Sequence, residues 1–418
     1  MKIVISENLK KLATILEPYA KLYIVGGYVR NALLGFCGTD VDLTASIPPE
    51  KMIKILEGTK FEVLDKSFKM GTMKIACENE IWDYTTFRKD NYSSGGSHRP
   101  KNVDFIEDLR QDAQRRDFTI NSIYYDILAG KTIDIYSGIL DLKKRIIRCV
   151  ETPSFVFSHD GLRILRMVRF ASELDFKIDK TTLMTARKMA YQTNDISPYY
   201  KYAELSAVLN ASKKYPISKK DAHIKGLSLY NELKLWNSHF VSASKIHFNM
   251  SKKVSVENAL LGLLIDIIDK ILPPCIEYFI NDLLGKSGFN LPPNVVRHYN
   301  QVICGYYDAL NKMSNKKYFF KYFNVFDKIS EILPLKNKAL FAKYKFFYSY
   351  IKKHKLPISI RELKINGNDL KENFHALSPK KYDTVLMCLL EKVFDGLVKN
   401  DKENLIKEVE NDIRNDNY

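Results

Sequence analysis

The feature that most constrains this chain is a change of hydrophobic period near Val150. Upstream, short β-rich runs at Leu22–Val25, Val41–Thr44, Lys74–Cys77 and Ile81–Phe87 lie between helical patterns. Downstream, from His159 onward, apolar residues recur at helical spacing, and the pairs Pro273-Pro274 and Pro292-Pro293 punctuate the pattern. At ~150 residues per domain the chain holds roughly three folding units. The expected fold class is therefore α+β: a mixed-sheet head followed by an all-α remainder.

Charge and apolar content narrow the partners. The 65 lysines and arginines outnumber 49 acidic residues, a net charge of +16 that concentrates polyanions around the protein. The longest apolar stretch, Ala259 to Ile271, is interrupted by Asp266, Asp269 and Lys270 and is too short to cross a bilayer, so it reads as a core helix and no membrane is expected. The first 18 residues lack a signal-peptide core, and the chain reads as cytoplasmic. Six cysteines, at 37, 77, 149, 275, 304 and 388, show no zinc spacing and are expected reduced and buried.

Candidate chemistry is concentrated in the head. Leu22–Val25 runs into Gly26-Gly27, then Arg30 and a helical stretch, an order that lets backbone N–H groups and a helix N-terminus meet a phosphate, with Arg30 as a bidentate clamp. Asp40-Val41-Asp42 places two carboxylates two residues apart, on one face if the segment is a strand, where they can share magnesium ions. In the alternating run Glu80–Arg88, Asp83 can face that pair as metal support or as general base for a 3′-hydroxyl. Asp160 and Arg163, three apart on a helix, can present an acceptor and a donor to the Watson–Crick edge of a base. His159-Asp160 also mimics a metal-dependent phosphohydrolase dyad, but companion histidines are missing at suitable spacing.

Four ordered blocks carry a resemblance: Gly26-Gly27-Tyr28-Val29-Arg30, Asp40-Val41-Asp42, Asp83 before Thr85-Thr86-Phe87-Arg88, and Arg115-Arg116-Asp117-Phe118-Thr119-Ile120-Asn121, followed by the neck helix around Asp160-Gly161-Leu162-Arg163. Together they resemble the class II nucleotidyltransferases of the DNA polymerase beta superfamily, the CCA-adding enzymes and bacterial poly(A) polymerases. The resemblance implies a polymerase-beta-like head at 1–149, a helical neck at 150–215, a helical body at 216–290 and a tRNA-binding helical tail at 291–418. It implies that Asp40, Asp42 and Asp83 are catalytic, with Mg2+ on Asp40 and Asp42. Nucleotide-binding roles fall to Gly26, Gly27, Arg30, Arg116, Asp117, Asn121, Asp160, Arg163, Arg166 and Arg169. ATP and CTP are the implied substrates and tRNA the partner, with the protein a monomer or homodimer.

Three positions depart from the family pattern: Asn31 replaces an Asp, Asp83 a Glu, and His159 a Glu. The Gly/Ser-rich segment Asp90–Pro100 matches the position of the family's flexible loop and favours complete CCA addition. Toward the end, Ile365-Asn366-Gly367-Asn368-Asp369-Leu370 resembles a tail segment of the smaller bacterial CCA-adding enzymes. Between Lys336 and Lys355, lysines interleave with aromatics; the lysines are expected as phosphate contacts and the aromatics as packing. The alternatives are a poly(A) polymerase, an enzyme adding only CC or A, and a silent RNA-binding protein on this fold.

Overall fold

A computed structural model describes residues 3–36, 38, 40–92, 100–239, 259–271, 273, 275–285, 291–311, 313–333 and 337–414. It divides into two compact units, Met1–Ala259 with Gly288–Asn290, and Leu260–Ser287 with Leu291–Tyr418.

The first unit opens with α1 (Glu7–Leu16), β1 (Tyr23–Val25), α2 (Gly27–Leu34), β2 (Asp42–Ala45), α3 (Pro49–Leu56), β3 (Glu62–Ser67), β4 (Thr72–Cys77) and β5 (Glu80–Thr86). There follow β6 (Arg88–Asn91), β7 (Asn102–Phe105), α4 (Leu109–Gln114), β8 (Ile123–Asp126), β9 (Lys131–Asp134), α5 (Gly138–Lys144) and β10 (Ile146–Ile147). Seven strands form one mixed sheet in the order β3-β4-β5-β2-β1-β8-β9. Among the described strands of this sheet only β2 and β5 pair in parallel, Asp42 opposite Asp83, while β1 runs antiparallel to both β2 and β8. The interior strand β1 is buried on both faces, which fits its continuous apolar run. Where Asp90–Pro100 was expected to be a loop, Asp90 and Asn91 belong to β6, which pairs with β7; the Gly/Ser core of that segment lies outside the described residues.

Helices dominate the rest of the unit: α6 (Pro153–His159), α7 (Leu162–Glu173), α8 (Lys180–Lys188), α9 (Pro198–Leu209), α10 (Ala222–Glu232) and α11 (Trp236–His239). One expectation needs correction here. A short strand, β11 (Lys177–Ile178), pairs in parallel with β10, so the helical part is not free of strands. Among the described residues α7 is nearly all buried and packs against α9 and α10.

The second unit is helical: α12 (Ala259–Ile271), α13 (Ile276–Leu284), α14 (Pro293–Leu310), α15 (Asn315–Tyr322), α16 (Phe326–Ile332), α17 (Lys338–His354), α18 (Gly367–Asn373), α19 (Tyr382–Phe394) and α20 (Lys402–Arg414). The apolar stretch expected as a core helix is α12, with Leu261, Leu264, Ile267 and Ile268 buried. Pro293 occupies the first turn of α14, the position at which its missing N–H costs nothing. The segment around Gly367 is a capping box: the Asn366 side chain accepts from the Asn368 N–H, and Asp369 Oδ2 accepts from the Asn366 N–H at 2.9 Å. No described helix is long and apolar enough to cross a membrane. Contrary to expectation, Cys275 and Cys388 are exposed.

Candidate active site

The site is built where β1 ends. Gly26 adopts φ +80, a conformation that side chains rarely reach, and a Cβ there would sit 3.6 Å from Asp42 Oδ2 and 4.0 Å from an Arg116 guanidinium nitrogen. Its glycine thus lets the turn approach the acidic pair and the start of α2 together. A cleft of about 580 Å³ opens here, lined by Gly26, Gly27, Arg30, Asp40, Asp42, Arg116, Asp117, Asn121, Arg166 and Arg169, with Lys214 and Tyr215 added from far along the chain. Five cationic side chains face three acidic ones on its wall. That balance suits a polyanion accompanied by cations.

Asp40 and Asp42 share this cleft, but not as two residues of one strand. Asp40 precedes β2, which begins at Asp42. Asp42 is open to the cleft, yet the surrounding protein desolvates its carboxyl and raises its pKa; Arg116 opposes this, while Asp83 and Asp40 add to it. Asp83 stands one strand over, in register with Asp42, with its Oδ1 on Lys74 Nζ at 2.9 Å. Lys74 is itself opposite Asp83 in the β4–β5 ladder.

Arg116 is oriented by groups that escaped the sequence reading. Its Nε donates to the Tyr124 hydroxyl at 2.9 Å, and Tyr124 donates to Asp112 Oδ2 at 2.6 Å. Asp112 is fully buried and also accepts from Arg115 Nε at 2.8 Å. Burial alone would raise the Asp112 pKa, but Arg115 and Arg116 outweigh it and bring it to about 2. Asp117 behaves alike: against burial, Arg166 holds it at about 2, with Oδ2 2.6 Å from an Arg166 nitrogen. Its Oδ1 takes the Phe118 N–H and Asn121 Nδ2, so this residue orders the site and offers no free carboxylate.

The expected base readers also sit differently from the helical pair anticipated. Asp160 lies in the break between α6 and α7 with extended backbone, and its Oδ1 accepts the Leu162 N–H at 2.9 Å, capping α7. Arg163, in the first turn of α7, donates to the Arg115 carbonyl at 2.6 Å and lies 3.8 Å from Asp160 Oδ2. Both are buried. They line a second cavity of about 370 Å³ whose wall includes Arg116, Asp117 and Arg166, residues shared with the first. His159 points elsewhere: its Nδ1 is 2.7 Å from the Phe155 carbonyl, and its ring rests among Phe155 and Tyr92.

Arg169 donates to Glu204 Oε2 at 2.7 Å, and the Phe170 ring lies under the guanidinium groups of Arg30, Arg166 and Arg169. Arg30 is the clearest departure from expectation. It is 2% exposed, and four of its five N–H groups are spent on Asn31 Oδ1, Asn121 Oδ1 and the Tyr215 hydroxyl. A free bidentate fork for phosphate is therefore not available there.

Residues 22–148 match the poly(A) polymerase head domain. A CCA-adding enzyme of Ligilactobacillus salivarius is 29% identical over 410 residues, 96% of each chain. The match to the head domain covers the sheet-bearing part of the chain, and the likeness to a CCA-adding enzyme runs along nearly its whole length. Shorter stretches are more alike: identity to the Enterococcus faecalis CCA-adding enzyme is 41% over 161 residues, 38% of each chain. The Bacillus stearothermophilus CCA-adding enzyme, solved in complex with CTP, superposes on 99% of this chain and 100% of its own with a TM-score of 0.70 at 22% identity. The likeness is one of fold: a mixed-sheet head followed by a largely helical part.

Proposed function

We propose that this protein builds the CCA end of tRNA in the cytoplasm, adding nucleotides from CTP and ATP without a template and releasing pyrophosphate. The observation that carries this reading is the wall shared by two cavities: the acidic pair and Gly26 lie on one side of Arg116, Asp117 and Arg166, and Asp160 and Arg163 lie on the other. A nucleoside triphosphate bridging that wall has its phosphates beside Asp40 and Asp42 and its base edge at Asp160 and Arg163. A carboxylate acceptor and a guanidinium donor then stand in for a templating base. The likeness to a CCA-adding enzyme along 96% of both chains supports CCA addition over poly(A) synthesis, which the head domain alone does not separate.

Magnesium fits the residues present. Three carboxylates, Asp40, Asp42 and Asp83, gather close enough for the first and last to raise the pKa of Asp42, a repulsion that a cation relieves. Magnesium takes one or two carboxylates and completes its shell with phosphate and water. When bound, it neutralises charge on the attacking and leaving oxygens. Asp40 and Asp42 would hold it. Asp83 accepts the proton of the RNA 3′-hydroxyl through the oxygen that Lys74 leaves open, and Arg116, Arg166 and Arg169 orient the triphosphate.

In the helical tail, Tyr344 and Tyr348 are core residues, but Phe346 is 67% and Tyr350 46% exposed beside Lys345 and Lys353. This face of α17 offers stacking and phosphate contacts to RNA. The reading is tested with Asp42→Ala: labelled CTP and ATP should no longer enter tRNA lacking its CCA end, while gel-shift binding of that tRNA persists. Wild-type protein that is folded, supplied with Mg2+ and still inert would refute it.

A further inference from the structure

The environment of Arg30 contains an anomaly of charge. A buried guanidinium normally faces a carboxylate, because desolvating an unpaired cation is costly. Here every hydrogen-bond acceptor of Arg30 is neutral: Asn31 Oδ1 at 3.1 and 3.0 Å, Asn121 Oδ1 at 2.6 Å and the Tyr215 hydroxyl at 3.0 Å, with the Phe170 ring centroid 5.1 Å away. No described carboxylate lies within ion-pair distance of it. The nearest acids make no ion pair with it: Asp117 pairs with Arg166 at 2.6 Å, and Glu173, 3.9 Å from Arg169, reaches Arg30 only through its field. Since a guanidinium has only donors, both amides must turn their oxygens toward it, so its position is fixed while no carboxylate pairs with its charge and desolvation outweighs the fields of Glu173 and Asp117.

This charge lies in the wall of the triphosphate cleft, with one Arg30 nitrogen 3.8 Å from where a Cβ on Gly27 would be. We propose that Asn31 and Tyr215 are positioning residues that hold Arg30 without neutralising it, leaving its positive field to be satisfied by the triphosphate of the incoming nucleotide. The free protein thereby carries an unfavourable buried charge that nucleotide binding relieves. An aspartate at position 31 would relieve it permanently. Nucleotide affinity and stability are thus set against each other at one position.

The inference rests on the nucleotidyltransferase reading of this cleft, and wild-type incorporation into tRNA lacking CCA serves as the control that separates the two. If wild type incorporates nothing, the reading of the cleft fails; the tests below address Asn31 alone. Asn31→Asp, assayed by equilibrium titration with CTP and Mg2+, should weaken CTP binding about tenfold, the size expected for one added charge at this range. Its affinity should depend less steeply on salt than wild type, and its melting temperature should rise. A purely structural role for Asn31 would shift stability and affinity in the same direction and leave the salt slope unchanged. Unaltered or tighter CTP binding in Asn31→Asp, parallel salt dependences, or a variant less stable than wild type would each overturn the proposal.

Discussion

At the scale of single residues, the site is an arrangement of charges that order one another. Asp112, buried at the junction of Arg115, Arg116 and Tyr124, is the clearest case. Replacing it with Asn removes the carboxylate that both guanidinium groups share, leaving Arg115 only Asp90 at 3.6 Å, so Asp112→Asn should lose roughly 3–5 kcal/mol of stability in urea unfolding. A loss below 1 kcal/mol would contradict the contacts described. The acid dependence follows from the same residues. Asp112 and Asp117 both sit at about 2, below the ordinary carboxylate value of ~3.9, so folding favours their ionised forms. Their stabilisation is complete above about pH 4–5 and is lost as pH falls toward 2. The urea midpoint should therefore be lower at pH 3 than at pH 6, and an unchanged midpoint would count against this assignment.

The sequence made Asp40, Asp42 and Gly26 visible because a local run carries all three. Asp112 was within reach too, three and four residues before the arginines it holds, a spacing that on a helix means contact. Tyr215 gave no such signal: it reaches Arg30 from 185 positions away, and only the packing of α7 against its neighbours brings it there.

At the scale of elements, α7 does most to align the site, since it carries Arg163, Arg166 and Arg169 and begins at the break that holds Asp160. Its entry depends on Gly161, where a Cβ would run into the Gln192 carbonyl. Gly161→Ala should therefore lower the melting temperature and, by displacing Asp160 and Arg163, weaken discrimination between CTP and ATP in a competition assay. Full retention of both would contradict the role given to this turn.

Strands buried on at least one face, β1, β4 and β5, were legible from apolar content or alternation. The polar strands β3 and β7 were not, because neither buries a face that would leave a period-two pattern. Asp160 was misplaced on a helix for a related reason: three-residue spacing to Arg163 looks helical, while the chain actually breaks at Asp160, and Gly161 after it lets the Gln192 backbone approach.

At the scale of the whole molecule, the change of period near Val150 correctly separated a sheet-bearing head from a mainly helical remainder, with β11 as the exception. The net charge of +16 has a structural counterpart in the exposed lysines and aromatics of α17. Changing Lys345 and Lys353 together to Glu should raise KM for tRNA several-fold and flatten its salt dependence. An unchanged KM would remove this face from the RNA interface.

The most direct test of the account is to give the protein three tRNAs, ending before the first C, after the first C and after the second, with CTP, ATP and Mg2+, and to sequence the 3′ ends of the products. Two carboxylates beside a glycine turn, with a base reader across a shared wall, should yield a single CCA terminus from each substrate and no extension beyond it, and Asp40→Ala should yield none. Long A-only tails, termination at CC, or products from Asp40→Ala equal to those of the unmodified protein would contradict it.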